Sequence, residues 1–488
     1  MTAARSLRLG ARFHMRVEAE SAAGFGRKLL MYIAGQPGRL PRPGTGKVEL
    51  TGSARLQRSD IRSTLVTAAC RRTSVLRIAA LLVFAVAGAG CATMIPRAVV
   101  PERLADEAQL AGMPNIRVWG DASAESLAVL SRTEKPKTDA LAATRRRREQ
   151  QSPEVNILAI SGGGDNGAFG AGLLVGWGDA GTRPDFDLVT GVSAGALTAP
   201  FVYLGRSRDA ELREVFTKYK RSDIYDPGIV SPLFGSGLFD SSPLEHLIAK
   251  YVDDRFLRDI ANERRKGRVL LIGTTNLDAQ RPVLWDMGRI AMSGHPQALN
   301  LFRKILLASA SIPGAFPSVR ITVRVEGQTY EELHVDGGVT QQVFVSRPSL
   351  VVRDGDPWSK RTATRLFIIR NGKISPEWEA VEAGIFSISR RSISTLIKNQ
   401  GIGDLYRIYA KAQIEATDFN LAAIPSEFGV TREELFELRY MQALYEEGYR
   451  AGFRGYPWMK GPPGLTRKAL HPTRSHGDAS TLAVSSPD

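Results

Sequence analysis

Val155-Asn156-Ile157-Leu158-Ala159-Ile160-Ser161-Gly162-Gly163-Gly164-Asp165-Asn166-Gly167 carries six residues suited to a buried strand straight into a glycine-rich turn. A short, almost wholly apolar run closed by stacked glycines reads as an interior strand of a parallel sheet, covered on both faces. The small and apolar residues from Gly167 to Trp177 then read as a buried helix. The unit repeats downstream. Asp187-Leu188-Val189-Thr190 is a second strand, Gly191-Val192-Ser193-Ala194-Gly195 a second tight turn, and the stretch to Tyr203 a second helix. Arg268–Thr275, the run ending in His334-Val335-Asp336-Gly337-Gly338 and Leu366–Arg370 add strands, and Ala298–Ala308, Ser387–Glu415 and Thr431–Phe453 add helices. Strands alternating with helices predict an α/β domain with a mainly parallel central sheet and helices on both faces.

The turn at Gly191–Gly195 is the first that carries chemistry. GxSxG between a strand and a helix is the geometry of a nucleophile elbow, in which side chains at the glycine positions would collide with neighbouring backbone. Ser193 is then presented at the carboxyl end of the sheet, beside a helix N-terminus whose free N–H groups favour an anion.

Gly162-Gly163-Gly164-Asp165-Asn166-Gly167 also follows a strand, and Gly162, Gly164 and Gly167 match GxGxxG. A dinucleotide site would need an acidic residue at the end of the second strand. Asp185 and Asp187 precede or begin that strand, and its end holds the serine turn instead. The other use of stacked glycines is to aim backbone N–H groups at a developing oxyanion, each preorganised donor contributing about 3–4 kcal/mol.

A nucleophilic serine needs a base. Asp336, at the end of a strand before Gly337 and Gly338, can serve directly if held within hydrogen-bond reach. His334, two residues earlier on the same strand face, reads as a structural or supporting residue. His246 falls in the helix-like stretch Pro243–Lys250 and His295 in a loop, and neither carries a triad motif. A Ser–His–Asp triad is the weaker reading.

Taken in order, these motifs resemble the patatin-like phospholipase family. The glycine loop matches at Gly162, Gly163, Gly164 and Gly167, the elbow at Gly191, Ser193 and Gly195, and the aspartate motif at Asp336, Gly337 and Gly338. Ala308-Ser309-Ala310-Ser311-Ile312-Pro313-Gly314-Ala315-Phe316-Pro317 is similar to the family's Ser/Pro-rich segment before the aspartate. The resemblance covers Val155 to about Arg347. It implies a patatin-like three-layer fold and metal-free, cofactor-free hydrolysis of lipid acyl esters. Ser193 would be the nucleophile and Asp336 the proton acceptor, with amides of Gly162, Gly163, Gly164 and Ala194 holding the oxyanion. The chain departs from the family at Ser161, where Asp is usual, and at Asn166, where a cation is usual. The alternatives are an esterase or thioesterase for soluble acyl groups, and a catalytically idle envelope protein that keeps the fold.

The 488 residues are 43% hydrophobic and 24% charged, which excludes a wholly disordered chain and a polytopic membrane protein. The formal net charge of +15 invites a nucleic-acid reading, but residues 1–70 hold twelve basic against four acidic residues, and Arg145–Arg148 adds a further run. The remainder is nearly balanced, so no nucleic-acid partner is expected. With two cysteines, Cys70 and Cys91, and six scattered histidines, neither a disulfide framework nor a metal site is expected. Arg71, Arg72 and Arg77 precede an apolar run from Ile78 to Ala87, and Gly88-Ala89-Gly90-Cys91 follows. That is the pattern of a secretory signal too short to span a bilayer. Ending at a cysteine, it resembles a bacterial lipoprotein signal, with Gly88 where an aliphatic residue is usual. The resemblance implies a lipidated Cys91, anchorage at a membrane of the cell envelope and a lipid or phospholipid substrate within reach; the alternative is an ordinary cleaved signal or an uncleaved anchor, with a periplasmic or secreted protein in the first case.

The expected organisation is therefore a basic extension over 1–70, with translation starting near Leu65 or Val66, and a signal over 71–91. A spacer and linker over 92–152, the hydrolase domain over 153–455 and a loose tail over 456–488 complete it.

Overall fold

The computed structural model describes residues 97–122, 154–226, 239–345 and 363–465. The basic extension, the signal with Cys91, the Arg145–Arg148 run and the tail beyond 465 lie outside the described residues. In chain order the described strands are β1 (Arg117–Trp119), β2 (Val155–Ile160), β3 (Leu188–Val192), β4 (Val269–Asn276), β5 (Arg281–Asp286), β6 (Val319–Val325), β7 (Gln328–Asp336), β8 (Thr364–Lys373) and β9 (Asp418–Ile424). The helices are α1 (Gly167–Asp179), α2 (Ala194–Leu204), α3 (Asp209–Thr217), α4 (Arg221–Ile224), α5 (Ser242–Tyr251), α6 (Asp254–Arg265), α7 (Met287–Met292), α8 (Ala298–Ser309), α9 (Ile385–Ile414) and α10 (Leu438–Phe453). None of the described helices is long and apolar enough to cross a membrane.

The main sheet runs β1-β5-β4-β3-β2-β8-β9. Its five central strands, β4-β3-β2-β8-β9, are mutually parallel, as the buried apolar runs predict. One margin is antiparallel. There β5 returns along β4, β1 pairs with β5, and the β6–β7 hairpin joins the far end of β4.

Strand alternation divides the core in two, because successive side chains leave opposite faces. Leu158 and Ile160 enter a large core with α1, α2 and α10, while Ile157 and Ala159 enter a smaller one closed by Leu405, Ile408, Tyr409 and Ala412 of α9. The sheet is thus covered on both faces. On the larger side α1 and α10 pack backbone against backbone. A Cβ at Gly172 or Gly176 would lie 2.0 or 2.1 Å from the Tyr445 or Tyr449 carbonyl oxygen, so only glycine permits this crossing.

The fold runs past both boundaries drawn from the sequence. Leu104, Ala108, Leu110, Met113 and Ile116, assigned to a spacer, are buried in the large core, and β1 follows them onto the sheet edge. Tyr456 and Trp458, assigned to the tail, pack on Phe169, Trp177 and Phe367, so they close the core. Residues 431–437, expected to begin the last helix, form a non-helical strap that tertiary contacts hold across the glycine loop. The Phe436 amide, for example, donates to Asp165 at 3.1 Å.

Candidate active site

Ser193 lies between β3 and α2 with φ 54° and ψ −123°, a conformation that costs a non-glycine residue about 1–3 kcal/mol. Three features hold it there. Its amide donates to the Ser309 hydroxyl at 3.0 Å, and that hydroxyl donates to the Gly273 carbonyl at 2.7 Å. A Cβ at Gly191 would lie 2.4 Å from the Gly195 carbonyl, and one at Gly195 would lie 2.3 Å from the Ile160 carbonyl. Both glycines are therefore required by the close approach of the first turn of α2 to β2 and β3.

Asp336 ends β7, opposite Thr274 of β4. Its backbone amide donates to Ser311 at 2.9 Å, and its Oδ1 accepts the Gly338 amide at 2.7 Å. The Ser193 side chain lies beside the same carboxyl group and lowers its proton affinity. Gly337 lies against β4, where a Cβ would meet the Gly273 carbonyl at 2.4 Å. Ser193 and Asp336 are each 5% exposed. Burial pushes the Asp336 carboxyl up to about 6, with Ser193 and the Gly338 amide offsetting part of the shift.

The glycine loop departs from expectation in one respect. The Gly162 amide, expected among the oxyanion donors, is committed to the Gln342 carbonyl at 3.0 Å, so it anchors the loop. The amides of Gly163, Gly164 and Ala194 have no hydrogen-bond partner among the described residues. A Cβ at Gly163 would lie 2.3 Å from the Asn371 carbonyl, whereas Gly164, at φ 58°, has open space beside it. Gly167 packs against Ala194, with 2.7 Å from its absent Cβ to the Ala194 methyl.

Sequence reasoning missed several residues around this centre. Ser309 sat unremarked within the Ser/Pro-rich block. Gln342 joins both halves of the site, because its carbonyl takes the Gly162 amide while its Nε2 donates to Gly338 at 3.0 Å. Asp404 of α9 fixes Gln342 in turn, accepting its backbone amide at 2.7 Å. Asn166 supplies no cation and accepts the Tyr440 hydroxyl at 2.6 Å. A guanidinium reaches the loop from the strap, where Arg432 pairs with buried Asp165.

His334 is a buried structural residue. Its Nδ1 meets the Thr274 hydroxyl and its Nε2 meets Glu332, each at 3.0 Å, and Arg117 grips the same glutamate. Burial lowers its pKa, and both ring nitrogens are already engaged. His246 is exposed, and His295 is half-buried in a loop.

A cavity of about 590 Å³ opens from the serine. Gly164, Asp165, Ser193 and Ala194 form one end, and Leu197, Val215, Phe216, Leu244, Ile312 and Phe436 are among the side chains that make the rest apolar. A second cavity of about 390 Å³, entirely hydrocarbon and aromatic apart from the Tyr251 hydroxyl, shares Leu197, Val215, Leu244 and Leu247 with the first.

Residues 158–346 match the family model for patatin-like phospholipases, so the chain carries a patatin-like phospholipase domain. No curated protein matches the chain. Among solved structures, it is similar to VipD from Legionella pneumophila, with 10% identity and a TM-score of 0.32 over 62% of this chain and 66% of that one. It is also similar to human GIVD cytosolic phospholipase A2, with 9% identity and a TM-score of 0.27 over 69% of this chain and 63% of that one. The chain therefore spans just under two thirds of the length of either neighbour.

Proposed function

We propose that the chain hydrolyses lipid acyl esters through a Ser193–Asp336 dyad and a covalent acyl-enzyme. The observation that carries this reading is a strained, buried serine set beside a buried carboxyl group at the mouth of an apolar cavity. Ser193 Oγ attacks the ester carbonyl carbon while its proton passes to Asp336. The negative charge that develops on the carbonyl oxygen is met by the free amides of Gly163, Gly164 and Ala194. Collapse of the tetrahedral intermediate expels the alcohol, which takes the proton from Asp336. A water then attacks the acyl-serine, with Asp336 again accepting the proton and Ser193 leaving as the restored hydroxyl. A carboxyl held near 6 is a better proton acceptor at neutral pH than an ordinary aspartate, and it is still ionised there.

The apolar cavities favour an acyl chain over a short polar acyl group. A phospholipid is the substrate class most consistent with the family, and a membrane-bound form of the protein would raise its local concentration. The leader supports that arrangement: Cys91, lipidated, would tether the domain to a membrane of the cell envelope. Release of the protein from membranes by Cys91→Ala would support the tether, and unchanged partitioning would refute it.

The test of the dyad is hydrolysis of phospholipid and short p-nitrophenyl esters by the protein and by Ser193→Ala and Asp336→Asn, with and without chelator. Chelator-insensitive turnover lost in both variants is the expected result. Preference for the short soluble esters would move the assignment to an esterase, and no turnover on any ester would refute it.

A further inference from the structure

The glycine loop Gly162–Gly167 carries one ionisable side chain, Asp165, and that side chain is buried, with 1% of it exposed. It directly follows Gly164, whose amide is free among the described residues. Consecutive Cα atoms lie about 3.8 Å apart, which sets this carboxyl group beside a free amide. Gly164 and Asp165 both line the cavity that opens from Ser193.

A negative charge at that point opposes ester cleavage. When Ser193 attacks, the charge that starts on Asp336 ends on the ester oxygen, beside Gly163, Gly164 and Ala194. An anion fixed next to that destination raises the barrier unless it is compensated, and its field is strongest where water is excluded. The loop supplies no compensation of its own, since Ser161 and Asn166 are uncharged.

The compensating charge arrives from 267 residues further along the chain. Arg432 of the strap pairs with Asp165 Oδ1, and the Phe436 amide donates to Oδ2 at 3.1 Å. No second cation pairs with Asp165 among the described residues. Other contacts fix the strap around this pair. The Arg432 guanidinium lies 5.6 Å from the centre of the Tyr440 ring, whose hydroxyl donates to Asn166 at 2.6 Å. Glu434 binds Arg221 at 2.5 Å. The strap is otherwise acidic, with Glu433, Glu434 and Glu437 against Arg432 as its single cation. The placement of one residue, not a general excess of positive charge, therefore brings a cation to the loop.

We propose that Arg432 is a positioning residue for ester cleavage: acting through Asp165, it cancels the one negative charge on the glycine loop and leaves the free amides open to the developing oxyanion. The inference rests on the reading of Ser193 and Asp336 as an acyl hydrolase. A purely mechanical role for the pair, holding Phe436 against the cavity, makes a different prediction. Removing both partners would then do at least as much harm as removing Arg432 alone. Charge compensation requires the opposite, because the second change removes the uncompensated anion.

The experiment uses the full chain at pH 9, where even buried carboxyl groups are largely ionised. Its variants are Arg432→Gln and the double change Arg432→Gln with Asp165→Asn. With p-nitrophenyl butyrate, kcat should fall about tenfold or more in Arg432→Gln while KM changes less than about twofold, and the double variant should regain most of the loss. Anion binding is read separately, by calorimetry, with Asp336→Asn present in every protein to remove the other carboxylate of the site. There Arg432→Gln should weaken dodecanoate about tenfold or more and leave dodecanol unchanged, and adding Asp165→Asn should restore dodecanoate. Dodecanol binding also reports that the cavity is intact. The proposal would be overturned by an undiminished kcat in Arg432→Gln, by no recovery in the double variant, by failure of dodecanoate to bind, or by equal weakening of dodecanoate and dodecanol. If the unaltered protein cleaved no ester, the dyad would be refuted and the dodecanoate comparison would still decide the compensation.

Discussion

The backbone amide of Ser193 donates to the side chain of Ser309, at the last residue of α8, and through it the elbow is tied to Gly273 of β4. The strained serine is therefore held by a hydroxyl with both a donor and an acceptor to satisfy. Ser309→Ala would leave a buried N–H and a buried C=O unpaired, at a cost of about 2–3 kcal/mol. Urea unfolding should show that loss, and ester turnover should fall about tenfold as the elbow relaxes. Wild-type stability in Ser309→Ala would mean that the two glycines alone hold the turn.

Asp336 has to be ionised to accept a proton, and burial holds it at about 6. Ester turnover should therefore fall as pH drops through about 6, well above the range of an ordinary aspartate. The same shift has a stability consequence of definite sign. Because the folded carboxyl binds its proton more tightly than the unfolded one, its contribution is neutral below pH ~4, becomes unfavourable as pH rises to ~6 and stays so above. Raising the carboxyl from its ordinary range to about 6 corresponds to about 3 kcal/mol. Asp336→Asn should then be inactive yet more resistant to denaturant than the parent at pH 8, with the advantage gone at pH 4. Equal stability at both values would count against the raised pKa.

Much of this centre was legible because its parts are local in sequence. A strand, a glycine turn and a helix lie within about a dozen residues, so Ser193 and the glycine loop could be read directly, and β2, β3, β4 and β8 announced themselves as continuous apolar runs. What escaped depended on partners distant in the chain. Gly162 looks like its neighbours until Gln342 claims its amide. Residues 431–437 have helical composition, but Asp165 captures both Arg432 and the Phe436 amide. β6 is another kind of miss. Val319, Ile321, Val323 and Val325 alternate with Arg320, Thr322 and Arg324 in the two-residue period of a half-exposed strand, and that signal was overlooked beside the stronger buried runs. β1 is only three residues long and takes its identity from β5.

Gly163 and Gly164, whose amides are both free among the described residues, should respond differently to the same change. In Gly163→Ala the new methyl would sit 2.3 Å from the Asn371 carbonyl, which belongs to β8 and cannot yield. That variant should lose about 3 kcal/mol or more, or fail to accumulate as folded protein. In Gly164→Ala the methyl meets nothing, and only the positive φ is penalised, by about 1–2 kcal/mol. Gly164→Ala should fold, with ester turnover reduced by displacement of its amide. Thermal melts of the two variants would decide the point, and similar losses in both would mean that conformation, not space, sets the requirement for glycine here.

Leu247 of α5 lines both apolar cavities, at the wall they share with Leu197, Val215 and Leu244. If an acyl chain extends from Ser193 through the first cavity into the second, narrowing this passage should discriminate by chain length while leaving the reacting atoms untouched. Leu247 is only partly buried, so Leu247→Trp can place its indole across the opening without a forced core rearrangement. Turnover of esters with long acyl chains should fall at least tenfold, through a higher KM, while esters of four or six carbons keep their kcat. Each methylene excluded from an apolar site forfeits about 0.8 kcal/mol, so the loss should steepen with every carbon beyond the constriction. A uniform decrease across all chain lengths would mean that the indole disturbs the elbow instead, and an unchanged profile would place the acyl chain elsewhere.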